Sequence, residues 1–338
     1  MTNLKQNKIS EAINFFNLGR TDEASILIEE ILIENPNNID AINLKGGIYL
    51  RKNNFNKALE ILKHGFNLNP NNKTILNNII TTLNNLKNYN ESEKYIKKLN
   101  ILEKNSSDTV IQLVNNLILQ GKKEEALGLI NQNISIKPKS EKLILAKANC
   151  LFELKKFSDS KELYLKSFSR NPNNFHTLFR LGYLNLEDKD FKNAINYFNK
   201  IIADKEIYKN LRKEISLAFY NIGLCYDALE NQKKAEINYL ESISYNNLFM
   251  DAYVNLSNIY YNMNKTEKAI DFMKKAISLD PEKRILYVNL SNIYDKARKH
   301  REAVFYKRVG TGNIIFKSKK EHGSYKIDRV KINETTQN

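Results

Sequence analysis

The chain has 338 residues, of which 42% are hydrophobic and 27% charged, so it can build a buried core and is not a generally disordered protein. Its 11 glycines and 5 prolines are few for this length, which favours long helices and argues against a loop-rich all-β fold. The net charge of +15 invites nucleic acid or an anionic membrane as a partner, but an AT-rich genome, which favours lysine, asparagine and isoleucine codons, would produce much of the same lysine excess.

Neither a membrane span nor a secretory signal is visible in the sequence. No run of 18 apolar residues occurs, and residues 1–8 contain no apolar stretch of the kind that a signal peptide needs. Cys150 and Cys225 are too few for a disulfide framework and lack the paired spacing of a zinc site. We therefore expect a cytoplasmic protein with reduced thiols, no cofactor and no membrane partner.

Small residues and prolines recur at intervals of 34 residues along the chain. A single interval of 41, between Ala194 and Ala235, exceeds this period by seven residues. The small residues are Ala24, Ala58, Ser92, Ala126, Ser160, Ala194, Ala235, Ala269 and Ala303. The prolines, Pro36, Pro70, Pro138, Pro172 and Pro281, keep the same register. A fixed period of this length indicates an array of structural repeats.

This register resembles the tetratricopeptide repeat (TPR) family, whose 34-residue helix–turn–helix unit has a large apolar residue at position 4, a small one at 8, alanine at 20 and proline at 32. The stretches 253–260 and 287–294 share the sequence Tyr-Val-Asn-Leu-Ser-Asn-Ile-Tyr. The resemblance implies an all-α, right-handed α-solenoid. About nine units fit the chain, starting near Lys5, Ile39, Lys73, Ser107, Glu141, Phe175, Ser216, Met250 and Arg284.

The seven extra residues define the predicted domain organisation. Units one to six occupy 5–208, the insertion 209–215 adds helical turns, and units seven to nine occupy 216–310. Because the stretch around the insertion contains neither glycine nor proline, we expect one lengthened helix near 205–229. The basic tail, 311–338, has two β-prone runs around a glycine-containing turn, which predicts a hairpin too short for a catalytic domain.

The sequence offers no constellation for catalysis or metal binding. No histidine pair has the i, i+4 spacing of a helical metal motif, and no nucleophile can be paired with a base. We therefore expect a protein that is not an enzyme. The four histidines are His64, His176, His300 and His322.

One polar pattern stands out on the first helix of the units. Position 6 lies roughly 160° around the helix from the core-facing side. In the TPR family that side of the first helix lines the concave groove, and an asparagine amide there can bind the C=O and N–H of an extended peptide together. The last three units resemble the asparagine ladder of the O-linked N-acetylglucosamine transferases. The predicted peptide-binding asparagines are Asn78, Asn221, Asn255 and Asn289 at position 6, with Asn258 and Asn292 at position 9.

This asparagine stripe has a second interpretation. Asparagine is favoured at position 6 of ordinary TPR units, and the whole chain is rich in it. Arg180 occupies one place of the carboxylate clamp of chaperone-binding TPR domains, but the other clamp residues are missing. Tyr183, Tyr220 and Tyr261 either extend the groove or pack between neighbouring first helices.

Three functions remain open from the sequence. The first is a non-catalytic scaffold that binds a protein or peptide segment in the TPR groove. The second is the substrate-recognition arm of a glycosyltransferase-like or other modifying system whose catalytic part is absent or on another chain. The third is nucleic-acid binding, which we do not expect because the lysines gather at turns, as at 122–123 and 233–234, and form no groove-tracking stripe.

Overall fold

The structure is a computed structural model that describes residues 2–203, 210–321 and 324–332. The described residues form eighteen α-helices followed by two β-strands. The first ten helices are α1 (Thr2–Asn17), α2 (Thr21–Glu34), α3 (Ile39–Arg51), α4 (Phe55–Leu68), α5 (Lys73–Asn85), α6 (Tyr89–Leu102), α7 (Ser107–Leu119), α8 (Lys123–Ile136), α9 (Glu141–Glu153) and α10 (Phe157–Arg170). The later elements are α11 (Phe175–Glu187), α12 (Phe191–Ala203), α13 (Arg212–Ala228), α14 (Gln232–Tyr245), α15 (Met250–Asn262), α16 (Thr266–Leu279), α17 (Arg284–Lys296), α18 (His300–Gly310), β1 (Ile314–Glu321) and β2 (Ser324–Ile332).

Capping side chains fix the start of the first helix in five successive units. Each is an asparagine or serine whose side-chain oxygen accepts a hydrogen bond from the backbone N–H three residues later. Loss of such a cap costs about 1 kcal/mol, so these residues help to set the repeat register. They are Asn38, Asn72, Ser106, Ser140 and Asn174, spaced 34 residues apart.

The two helices of a unit approach closely where the sequence has its small residues. A Cβ atom added at Gly46 would lie 2.5 Å from Leu62, and one at Gly182 would lie 2.7 Å from the ring of Phe198. The hydroxyl of Ser257 donates to the carbonyl of Ala269 at 2.7 Å, which joins positions 8 and 20 of unit eight. The small residues at positions 8 and 20 therefore lie where the two helices of a unit meet.

The chain divides into two compact units, Met1–Ser167 and Phe168–Asn338. Within each unit the core lies between paired helices and is lined by the position-20 alanines, which are fully buried at Ala24, Ala58, Ala126, Ala194, Ala235 and Ala269. This division differs from the boundary at 209–215 that the sequence predicts, and that boundary stays a prediction.

The insertion lengthens α13 at its amino-terminal end. This helix has 17 residues, whereas α15 has 13, and it begins at Arg212, four residues before the predicted start of unit seven at Ser216. Asn210 and Leu211 are not helical, so the described residues do not form a single helix across 205–229. Residues 204–209 lie outside the described part of the chain.

The predicted hairpin is confirmed. Strands β1 and β2 pair antiparallel with Ile314 opposite Ile332. Ile314 is buried against Tyr287 of α17 and Val309 of α18, so the hairpin begins by packing on the last helix pair. No strand precedes residue 310 in the ranges 2–203 and 210–310, and the protein is the all-α helical repeat solenoid that the period predicted.

Candidate functional site

The predicted asparagine stripe of units seven to nine is only partly open to solvent. Asn221 on α13 is 5% exposed, while Asn255 on α15 and Asn289 on α17 are half-buried. The amide nitrogen of Asn255 donates to the hydroxyl of Tyr220 at 3.2 Å and to that of Tyr239 at 3.3 Å. These bonds tie α15 to α13 and α14, so the donor side of this amide holds neighbouring helices together.

The position-9 asparagines are the open members of the stripe. Asn258 on α15 and Asn292 on α17 are both exposed, one helical turn beyond position 6. Asn78, the remaining predicted asparagine, lies in the first compact unit, where its amide nitrogen donates to the Asn43 oxygen on α3 at 2.8 Å. An asparagine at position 6 is thus used between neighbouring helices in both compact units.

Two of the predicted aromatic residues make clear packing contacts. The Tyr220 ring centroid lies 4.7 Å from that of Phe249, and burial raises the pKa of the Tyr220 hydroxyl. The ammonium of Lys296 lies 4.0 Å from the centre of the Tyr261 ring and donates to the Tyr261 carbonyl oxygen at 2.6 Å. Both rings are half-buried, in keeping with the interpretation that they pack between neighbouring helices.

Arg180 and Tyr183 lie on α11, and both are half-buried. A hydrogen bond to Glu187, assisted by burial, raises the pKa of the Tyr183 hydroxyl. The positive charge of Arg180 acts on the same hydroxyl in the opposite direction. These three side chains form a small polar group on one helix, and their role in peptide binding stays a prediction.

Sequence reasoning missed a cleft between α5 and α7 in the first compact unit. It has a volume of 170 Å³, and most of its lining is amide or hydroxyl side chains. The polar residues of its lining fall at positions 5, 9 and 12 of the first helix of unit three and at positions 6, 9 and 10 of the first helix of unit four. Considering positions 6 and 9 alone overlooks this pattern. We call this the amide cleft, lined by Asn77, Ile80, Thr81, Asn84, Gln112, Asn115, Asn116 and Leu119.

The amide cleft contains buried polar atoms that lack a hydrogen-bond partner among the described residues. They are the side-chain oxygens of Asn84 and Gln112 and the side-chain nitrogen of Asn116. Asn116 is only 1% exposed. Leaving a buried polar group unpaired costs about 1–3 kcal/mol, so such atoms favour a ligand that supplies the complementary groups.

A carboxylate behind the amide cleft orients the Asn116 amide. The Gln120 nitrogen donates to the Asn116 oxygen at 2.6 Å and to the Glu93 carboxylate at 2.8 Å. Hydrogen bonds from Lys97 and Gln120 lower the pKa of Glu93, which keeps that carboxylate charged. Because the oxygen of Asn116 accepts from Gln120, the NH2 group is the part of this amide that is left without a partner among the described residues.

The described residues provide no catalytic or metal centre that we can assign. No group of three histidine, cysteine or acidic side chains in the described ranges is placed to hold a metal ion. Burial raises the pKa of Cys225 to about 12 and also raises that of Cys150, so neither buried thiol ionises near neutral pH. His300 is exposed beside Asp295, and His322 lies outside the described residues.

Comparison with known proteins defines the class. A family model described as tetratricopeptide repeat matches residues 251–283, within unit eight. A tetratricopeptide repeat protein from Parabacteroides merdae superposes with a TM-score of 0.58 at 14% identity, covering 72% of this chain and 93% of the other. The Cut9-Hcn1 hetero-tetramer of the APC/C gives 0.57 at 15% identity, covering 85% and 55%. Together with the 34-residue repeat, these matches show a TPR protein.

A second family model is more particular. The ChAPs model, described as Chs5p-Arf1p-binding proteins, matches residues 20–258, well over half of the chain. The chain therefore belongs to the ChAPs family.

Two curated relatives share part of this sequence. A DnaJ homolog subfamily C member 3 homolog of Dictyostelium discoideum is 24% identical over 223 residues, which is 63% of this chain and 40% of the relative. The human protein O-mannosyl-transferase TMTC3 is 24% identical over 269 residues, which is 74% of this chain and 29% of the relative. The chain thus spans well under half the length of both relatives.

No helix within the described ranges combines the length and the apolar composition that crossing a membrane requires.

Proposed function

We propose that this chain is a non-catalytic scaffold that binds an extended peptide segment along its first helices. The observation that carries the proposal is the amide cleft, because three of the side chains that line it each have an unpartnered buried atom: an oxygen in Asn84 and Gln112 and a nitrogen in Asn116. A peptide group supplies an N–H donor and a C=O acceptor, so peptide backbone satisfies both kinds of atom. Neutral amides select for main chain and place little demand on side chains.

The proposed partner is a protein. The description of the ChAPs family names proteins that bind Chs5p and Arf1p, and we extend from it only the class of partner. Many lysines of this chain are already paired with acids, as in Lys45–Glu29 and Lys142–Asp108, both at 2.7 Å. This pairing weakens the case for nucleic acid as a partner. The cytoplasm is the compartment we propose, since both cysteines are free.

A peptide library tests the proposal. Unstructured peptides selected on the parent chain would be measured against the variant Asn84→Ala/Gln112→Ala by fluorescence polarisation. We expect binding to weaken by about 1 kcal/mol per lost neutral hydrogen bond, or about fivefold for each. The matched control is Asn131→Ala/Gln132→Ala, which removes the same two amides from an exposed part of α8. Equal binding by both variants, or failure of the parent to select any peptide, would contradict the proposal.

A second candidate function is the recognition arm of a modifying enzyme. The match to TMTC3, a protein O-mannosyl-transferase, is the observation that favours it. In this alternative the chain holds a polypeptide for a catalytic domain on another chain. It predicts that a transferase copurifies with the chain from native lysate, whereas the simple scaffold does not require one.

A further inference from the structure

A separate cavity lies on the last full repeats of the second compact unit. It has a volume of 820 Å³ and is lined by residues of α15 and α16. The aromatic rings of Tyr253, Tyr260 and Phe272 form its apolar part, and the rings of Tyr260 and Phe272 stack at 5.3 Å. We call it the lysine cavity, since Lys268, Lys274 and Lys275 also line it.

The charges around the lysine cavity are not balanced. Asp271 is the single acid in its lining, against three lysines. Lys274 already interacts with Asp271 and donates to the Tyr294 hydroxyl. Among the described residues, Lys268 and Lys275 form no ion pair, and the Lys268 ammonium lies 5.2 Å from the centre of the Tyr260 ring. Two exposed cations therefore stand beside an aromatic surface without forming an ion pair.

A cavity in the first compact unit uses some of the same repeat positions with a different charge at one of them. This cavity has a volume of 650 Å³, and we call it the α6 cavity after the helix that supplies most of its lining. Its Tyr95 and Lys98 occupy the same repeat positions as Phe272 and Lys275 of the lysine cavity. At the position of Lys268, however, it has Glu91. That carboxylate pairs with Lys63 at 2.7 Å. The two cavities thus differ in charge at position 19 of the repeat, which is glutamate in the α6 cavity and lysine in the lysine cavity.

We infer that the lysine cavity is a second protein-binding site, which takes an acidic peptide segment carrying an apolar side chain. The apolar side chain lies against Tyr253, Tyr260 and Phe272, where it is removed from water. Flanking carboxylates pair with Lys268 and Lys275 at the rim, which also gives the interaction a dependence on salt. This site lies within unit eight and has its lysines on the second helix, whereas the amide cleft lies between the first helices of units three and four, so the two do not depend on each other.

The test uses the full chain and a fluorescein-labelled peptide of alternating glutamate and phenylalanine residues. The variant Lys268→Glu/Lys275→Glu should bind this peptide about tenfold more weakly than the parent, because each exposed ion pair changes affinity by up to about fivefold. A counterpart peptide with glutamine in place of glutamate should also bind the parent more weakly. Circular dichroism should show unchanged folding, since both lysines are exposed.

The matched control is Lys94→Glu/Lys98→Glu, which makes the same change of net charge in the α6 cavity. We expect it to retain affinity for the glutamate peptide to within about twofold, because neither lysine lines the lysine cavity. An equal loss in both variants would show that only the overall charge of the chain attracts the peptide. That result, undetectable binding by the parent, or equal affinity for the two peptides would overturn the inference.

Discussion

The asparagines of α15 and the amides of α5 and α7 show how one residue type takes two roles within one repeat pattern. Asn255 donates to Tyr220 and Tyr239, so its NH2 group is satisfied inside the protein. In the amide cleft, Asn84 and Asn116 each keep an unpartnered atom. The repeat position of Tyr239 is occupied in unit three by Ile96, which has no hydroxyl to offer. A tyrosine hydroxyl on the second helix thus gives Asn255 an internal partner, and unit three offers no hydroxyl at that position.

Among the variants that test this comparison, Gly223→Ala is expected to change the stability of the protein most. The added Cβ would lie 2.6 Å from the ring of Tyr239, the side chain that accepts from Asn255. Overpacking of this kind costs about 1–3 kcal/mol of stability. Thermal or denaturant unfolding would measure the loss. Gly128→Ala on α8 is the control, because its Cβ meets nothing within 4 Å, and we expect it to stabilise by about 0.5–1 kcal/mol.

A smaller effect separates the two roles of asparagine directly. Asn255→Ala removes the donor of two internal hydrogen bonds, so we expect a loss of about 1 kcal/mol in unfolding free energy. Asn84→Ala removes an oxygen without a partner and introduces a better helix former, so stability should be unchanged or higher by up to about 0.5 kcal/mol. Equal destabilisation by the two substitutions in urea unfolding would break the comparison.

The smallest effect concerns the carboxylate behind the amide cleft. Hydrogen bonds from Lys97 and Gln120 hold the pKa of Glu93 below its ordinary value of 4.5, so the charged form stabilises the folded state. That contribution is present above pH 4.5 and is lost as the pH falls through the lowered pKa. Glu93→Gln should therefore be less stable than the parent at pH 7, by less than about 1 kcal/mol.

The pH dependence of that difference provides the check. Urea unfolding of parent and Glu93→Gln at a series of pH values should show the two stabilities converging as Glu93 becomes protonated. A difference that stays constant from neutral to acid pH would mean that the carboxylate charge does not orient Gln120. The amide donor of Asn116 would then lack the support described above.

The sequence predicted the repeat register closely because local physics sets it. Helices α5, α11, α15 and α17 begin at the predicted residues Lys73, Phe175, Met250 and Arg284. The start of α13 was four residues off, because nothing in the repeat pattern tells how an insertion divides between helix and turn. A single sequence shows the helix periodicity and, in some units, the capping residues at fixed intervals. It does not show the path of an insertion, because that path depends on the helices packed around it.

The candidate site was less predictable, because whether an amide finds a hydrogen-bond partner depends on residues distant in the sequence. The repeat position of Asn221 predicts that it faces away from the core, yet it is 5% exposed. The partners of Asn255 lie 35 and 16 residues away along the chain. The amide cleft likewise needs side chains from two units, so reading one repeat position at a time does not reveal it.

The contact of Ile314 with Tyr287 and Val309 bears on how such a protein can change its length during evolution. Duplicating a unit inside the array preserves every interface, because each unit packs on its neighbours in the same manner. Adding a unit after α18 would require the hairpin to leave the surface that Ile314 now covers. Gain or loss of repeats is therefore expected at internal junctions, with the final helix pair and its hairpin inherited as one piece.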